Sequence, residues 1–169
     1  MHIARVWLGV GLAASLAAGV AGLARAQPAT TRPEINAPLP GTPEEIIAFR
    51  QANYKWMGDT FGDMKKVIDA GGDVAPLAAK AADMAAWARR IPGMFPVGTE
   101  TGGPAGHPTK ALPAIWTSKS TFDERSVALA TQSAKLSTVA ATGDKAAFAE
   151  QYKAVGATCG ACHRDYRAR

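Results

Sequence analysis

Cys159, Gly160, Ala161, Cys162 and His163 place two thiols either side of a two-residue gap, with an imidazole immediately after. That spacing is the attachment signature of haem c. At about 100° per residue on a helix, Cys162 and His163 lie at about 300° and about 40° from Cys159, so both sulfurs and the ring share an arc of about 100°. Two thioethers then pin the vinyl edge of a porphyrin while His163 reaches the iron from one face. Other chemistries use the same residue types. A redox dithiol needs a thioredoxin-like βαβ setting, which this chain lacks, and zinc needs a further ligand where only remote His107 is on offer. Two Cys in 169 residues also cannot build a disulfide framework.

Six residues follow His163, so a second axial ligand has to come from upstream. His107 sits between Gly106 and Pro108, where the flanking residues read as an exposed loop. Met57 and Met64 compete with it, although methionine on an inward helix seam is more commonly core filler.

The N-terminus is laid out as a secretory leader. Met1 to Arg5 is a short basic start, Val6 to Leu23 is apolar, and Ala24-Arg25-Ala26 is a small-x-small site before Gln27. Residues 1–26 are therefore expected to be removed, leaving 27–169 outside the cytoplasm, in the periplasm, with no stable membrane insertion after cleavage. The alternative is a retained anchor. Nineteen Lys and Arg against fourteen Asp and Glu give a formal net charge of +5, of which Arg5 and Arg25 belong to the leader. The remaining excess is too small and too scattered for a nucleic-acid surface.

The elements that must hold the motif are helical. Residues 27–42, with Pro28, Pro33, Pro38 and Pro40, read as an extended lead-in to a single domain over 43–169. Thr42-Pro43-Glu44-Glu45 combines a hydroxyl cap, proline at the first helical position and a carboxylate three residues on. From there Ile47, Arg50, Tyr54, Met57, Phe61, Met64 and Ile68 recur at spacings of three and four until Gly71-Gly72. A second seam runs through Leu77, Ala81, Met84, Ala88 and Ile91, ended by Pro92. A third, from near Ser120 to Gly143, carries Phe122, Ser126, Leu129, Ser133, Leu136 and Ala140. Asp144 caps a fourth, in which Phe148, Tyr152, Val155, Cys159, Cys162 and Tyr166 follow the same spacing. The spacing predicts an all-α, antiparallel four-helix bundle with haem c held in its core. Residues 92–119, rich in Gly and Pro, form one long irregular connection expected to be functional.

Several separated features resemble the class II cytochromes c, and within them the cytochromes c′, from about residue 43 to residue 169. The run CGACHRDYR from Cys159 to Arg167 is similar to the family's C-terminal haem motif. Phe49-Arg50-Gln51, followed by Met57 and by Phe61-Gly62-Asp63-Met64, is similar to its first helix. Phe95 with Gly98-Thr99-Glu100, and Ala114-Ile115-Trp116, resemble its long loop, from which Thr101-Gly102-Gly103 departs.

The resemblance implies thioethers at Cys159 and Cys162, His163 as proximal ligand, and Arg50 and Gln51 at the haem propionates. It also implies Thr99 and Glu100 at the haem edge, Arg167 beside the proximal imidazole, and Tyr54 over the open face of the iron. A protonated phenol of pKa about 10 is a poor ligand. The implied function is a five-coordinate, high-spin haem protein that binds NO and CO and takes part in electron transfer with a periplasmic partner, homodimerisation being common in the family. The alternative is a low-spin electron carrier with Met57 on the iron. A peroxidase-like enzyme is disfavoured, because no distal His or Arg pair is evident for proton transfer.

Overall fold

The structure is a computed structural model and describes residues 34–102 and 108–169. The leader, the first part of the lead-in and His107 lie outside the described residues.

Helix α1 spans Pro43–Asp69 and starts on the capping box read from the sequence. Thr42 Oγ1 accepts from the Glu45 amide at 3.3 Å, and Glu45 Oε2 accepts from the Thr42 amide at 3.2 Å. Gly71, at φ 61°, takes the left-handed turn that ends the run. Thr42→Ala is expected to cost about 1 kcal/mol and to lower Tm by about 3 °C in a domain of this size. Calorimetry checks this, and an unchanged Tm would mean the first turn frays.

Helix α2, Ala78–Arg90, enters through a 3₁₀ turn at Ala75–Leu77 and leaves through another at Ile91–Met94. Pro92 does not stop the chain at Ile91 as the sequence suggests, because proline in the first turn of a new 3₁₀ segment leaves no bond unmade. The connection also holds a single helical turn, α3, Ala114–Thr117. Helix α4 runs Lys119–Ala141 and α5 runs Lys145–Tyr166, where the Asp144 side chain accepts from the amides of Ala146 and Ala147 at 3.0 and 2.9 Å.

All six positions read as the third seam, from Phe122 to Ala140, are buried in α4. Small residues Ala81, Ala85 and Ala88 are buried on the α2 side, so α2 and α4 approach closely. Ser137 Oγ donates to the Ala78 carbonyl at 2.8 Å, and Gln151 Nε2 to the Gln132 carbonyl at 3.0 Å, joining α4 to α2 and to α5. Rising numbers in α1 meet falling numbers in α5. Phe61 stacks on Tyr152 with centroids 3.9 Å apart, and Lys145 Nζ donates to the Gly71 carbonyl at 2.6 Å. The arrangement is an antiparallel four-helix bundle of α1, α2, α4 and α5.

The structure adds two features. Helix α1 buries a second stripe, Ile46, Asn53, Trp56 and Thr60, beside the expected one. It borders α2 as well as the site, and Phe49 meets Trp87 edge-on at 5.8 Å. The lead-in is also not simply extended. It turns at Glu34–Ala37, and the Arg90 guanidinium holds the carbonyls of Ile35 and Ala37 against the end of α2.

Candidate haem site

Large side chains keep α1 apart from α4 and α5, and the gap is a cavity of about 480 Å³. Arg50, Tyr54, Met57 and Phe61 of α1 form one wall. Cys159, Cys162, His163 and Tyr166 of α5 form another, with Phe122 and Leu129 of α4 between them. The connection closes one end with Phe95, Ala111 and Ile115. Phe95 is the hub of this end: its ring lies 5.0 Å from Phe122 and 6.0 Å from Trp116, both edge-on, and its carbonyl accepts from Trp116 Nε1 at 3.0 Å.

Both cysteines are half-buried and unbridged. Burial raises the Cys159 thiol, and burial together with the neighbouring Cys159 pushes Cys162 up to about 11. Thiols that keep their protons are poor partners for zinc. Among the described residues no group of three or more His, Cys, Asp or Glu is arranged to hold a metal ion. Burial, and after it the Arg167 charge, lowers His163, favouring the neutral imidazole with a free lone pair. Tyr54 is raised above its ordinary value chiefly by burial, then by Cys162, so its phenol stays protonated.

Arg50 is 2% exposed and is held in place by the connection. Nη1 donates to Thr99 Oγ1 at 2.7 Å and to the Met94 carbonyl at 3.4 Å, while Nη2 donates to Thr109 Oγ1 at 2.8 Å and to the Thr99 carbonyl. Its guanidinium carbon lies 4.4 Å from the centre of the Phe95 ring. Burial lowers its pKa to about 10, which leaves it charged at neutral pH. The same loop is tied onward. Thr101 N donates to the Ala111 carbonyl, Leu112 N to the Tyr166 carbonyl and Ala168 N to the Lys110 carbonyl, at 3.0, 3.0 and 2.9 Å.

Cys159, Cys162, His163, Arg50, Gln51, Tyr54, Arg167 and Met57 are thus brought to one cavity. Met64 is fully buried and does not line it. Thr99 and Glu100 do not reach the cavity wall. Thr99 is spent on Arg50, and Glu100 Oε2 accepts from the Gly98 amide at 2.9 Å. The resemblance places both at the haem edge, and in the structure the loop that carries them packs against Arg50. Sequence reasoning missed Lys110 and Arg125 in the lining. Arg125 lies beside Ser126 and one turn before Leu129, so the third seam marked its neighbourhood, whereas nothing periodic marked Lys110.

The lining holds Arg50, Lys110, Arg125 and Arg167 and no Asp or Glu. An apolar slot with cations, two neutral thiols and an imidazole on one helix fits a dianionic tetrapyrrole. The Nε of Arg125, buried and without a hydrogen-bond partner, supports an anionic occupant. Fold and site together define a helical-bundle haem protein.

The family model described as Cytochrome C′ matches residues 45–167. Cytochrome c′ of Rhodocyclus tenuis is 38% identical over 130 residues, 76% of this chain and 97% of that protein. A solved cytochrome c′, described as having an unusual ligand-controlled dimer dissociation, superposes with a TM-score of 0.70 at 29% identity, covering 77% of this chain and 99% of its own. Variants of cytochrome c prime from Alcaligenes xylosoxidans, one as a nitric oxide complex and one with carbon monoxide bound, each give a TM-score of 0.66 at 29% identity, covering 76% and 98%. The chain belongs to the cytochrome c′ family, whose members carry covalently bound haem c.

Proposed function

We propose that this protein is a periplasmic haem c protein with a five-coordinate, high-spin iron that binds NO and CO and takes part in electron transfer. Cys159 and Cys162 form the thioethers, each adding its S–H across a vinyl group, and His163 is the axial ligand. Bound here, haem supplies an iron that accepts diatomic ligands and single electrons. Gln51 and the cations at the mouth orient it, and Arg167 stands beside the His163 ring. The leader layout supports periplasmic delivery, and no helix among the described residues is long and apolar enough to cross a membrane. The similarity to a cytochrome c′ with ligand-controlled dimer dissociation supports a homodimer.

One observation carries the reading. Tyr54, half-buried and with its phenol held protonated, occupies the α1 wall across the cavity from the α5 cysteines and imidazole. A neutral phenol there blocks without ligating. Absorption spectra of the purified holoprotein test this, with broad high-spin bands expected in both ferric and ferrous forms. Sharp, split bands in the reduced protein would overturn the open site and favour the low-spin alternative with methionine on the iron.

A further inference from the structure

We propose that Arg125 anchors a haem carboxylate; the inference rests on the haem reading above. The terminal nitrogens of Arg50 are fully committed to Met94, Thr99 and Thr109, which leaves that residue one N–H, on Nε, for the cavity. Gln51 is a neutral amide, and it donates to the Pro108 carbonyl at 2.8 Å. These two residues therefore supply little charge-assisted bonding to a dianion.

Arg125 is placed differently. It lies on α4 one turn after Phe122 and lines the cavity; its side chain is 40% exposed, but Nε itself is buried and lacks a partner. Its ion pair is weak: Nη2 stands 3.5 Å from Asp165 Oδ2, a carboxylate shared with Arg164 Nε at 3.8 Å. Glu124 is its neighbour in the same helix, and the other charged residues lining the cavity are Arg50 of α1, Lys110 of the connection and Arg167, just past α5. No carboxylate lines the cavity to meet the free N–H. A guanidinium presents its donors in a planar fork matched to a carboxylate, and a buried donor without a partner is strongly disfavoured. The acceptor has to come with the occupant, and the strong acceptors of haem are its two carboxylates.

The test uses the holoprotein, in which thioethers keep the haem attached in every variant. Reduction potential is followed against pH, with redox-difference infrared spectra of the haem carboxylates, for the parent, Arg125→Gln, Arg125→Lys and Asp165→Asn. Arg125→Gln is expected to raise the pH of the carboxylate-linked break by about one unit, a tenfold change in proton affinity, and to shift the carboxylate bands. Arg125→Lys restores the charge and most of the effect, and Asp165→Asn leaves the bands in place. Unchanged bands in Arg125→Gln, or an Asp165→Asn protein that reproduces its shift, would overturn the proposal alone. A parent lacking haem bands sinks the haem reading and this proposal with it.

Discussion

Acid extraction of the Cys159→Ala/Cys162→Ala protein releases all of its haem, whereas the parent retains haem through denaturation. A thioether survives unfolding because it is an ordinary carbon–sulfur bond. The bond from His163 to iron does not, since it depends on a folded wall to hold the ring and on an imidazole free of a proton. Burial and Arg167 keep that imidazole neutral in the native protein, and acid removes both conditions. Either single cysteine variant keeps one thioether and is expected to hold its haem in the same extraction. The effect is close to all-or-none, which makes it the strongest check on the motif. Haem that stayed attached in the double variant would place the covalent site elsewhere.

Tyr54→Ala raises the CO association rate by about tenfold, which corresponds to removing a displacement penalty of about 1.4 kcal/mol. An entering diatomic ligand has to move the phenol ring, which is packed against Phe95 at 6.4 Å between centroids. Alanine removes that obstacle and leaves the attachment residues untouched. Phe95, Phe122 and Met57 give this part of the cavity an apolar lining, so bound dioxygen would find few donors while NO and CO depend on them less. Stopped-flow or flash photolysis of the folded variant decides the matter. An unaltered CO rate would reduce Tyr54 to core packing, and a gain in stable O₂ binding would show that sterics had excluded oxygen.

The local features were legible because their causes are local. Thr42 with Glu45, Asp144 with the next two amides, and the seam from Phe122 to Ala140 each follow from spacing and capping within a few residues. The Cys159, Cys162 and His163 cluster was legible for the same reason: one helical turn sets its geometry. The partners of Arg50 were not. Its lone charge on a buried seam demanded an acceptor, but Thr99 and Thr109 lie about fifty and sixty positions away in a segment with no periodicity. Thr99 and Glu100 were linked to the site by resemblance, while the packing of their loop against Arg50 depends on how it folds over α1. Arg125 escaped for another reason. It occupies the edge of its helix seam, where a charged residue usually faces water, and only the cavity that opens beside α1 turns its buried Nε inward.

The hydrogen-bonded ladder from Arg50 through Thr99, Thr109 and Ala111 to Tyr166 and Ala168 has a temporal side. Its last rungs belong to residues that follow Cys159, Cys162 and His163 in chain order. In chain order α1, α2 and the connection all precede the residues that latch them across the end of the bundle. The thiols arrive before the tail that closes it. The residues that shut this end of the cavity are thus the last of its fastenings to be made, directly behind the helix turn that carries the thiols and the imidazole.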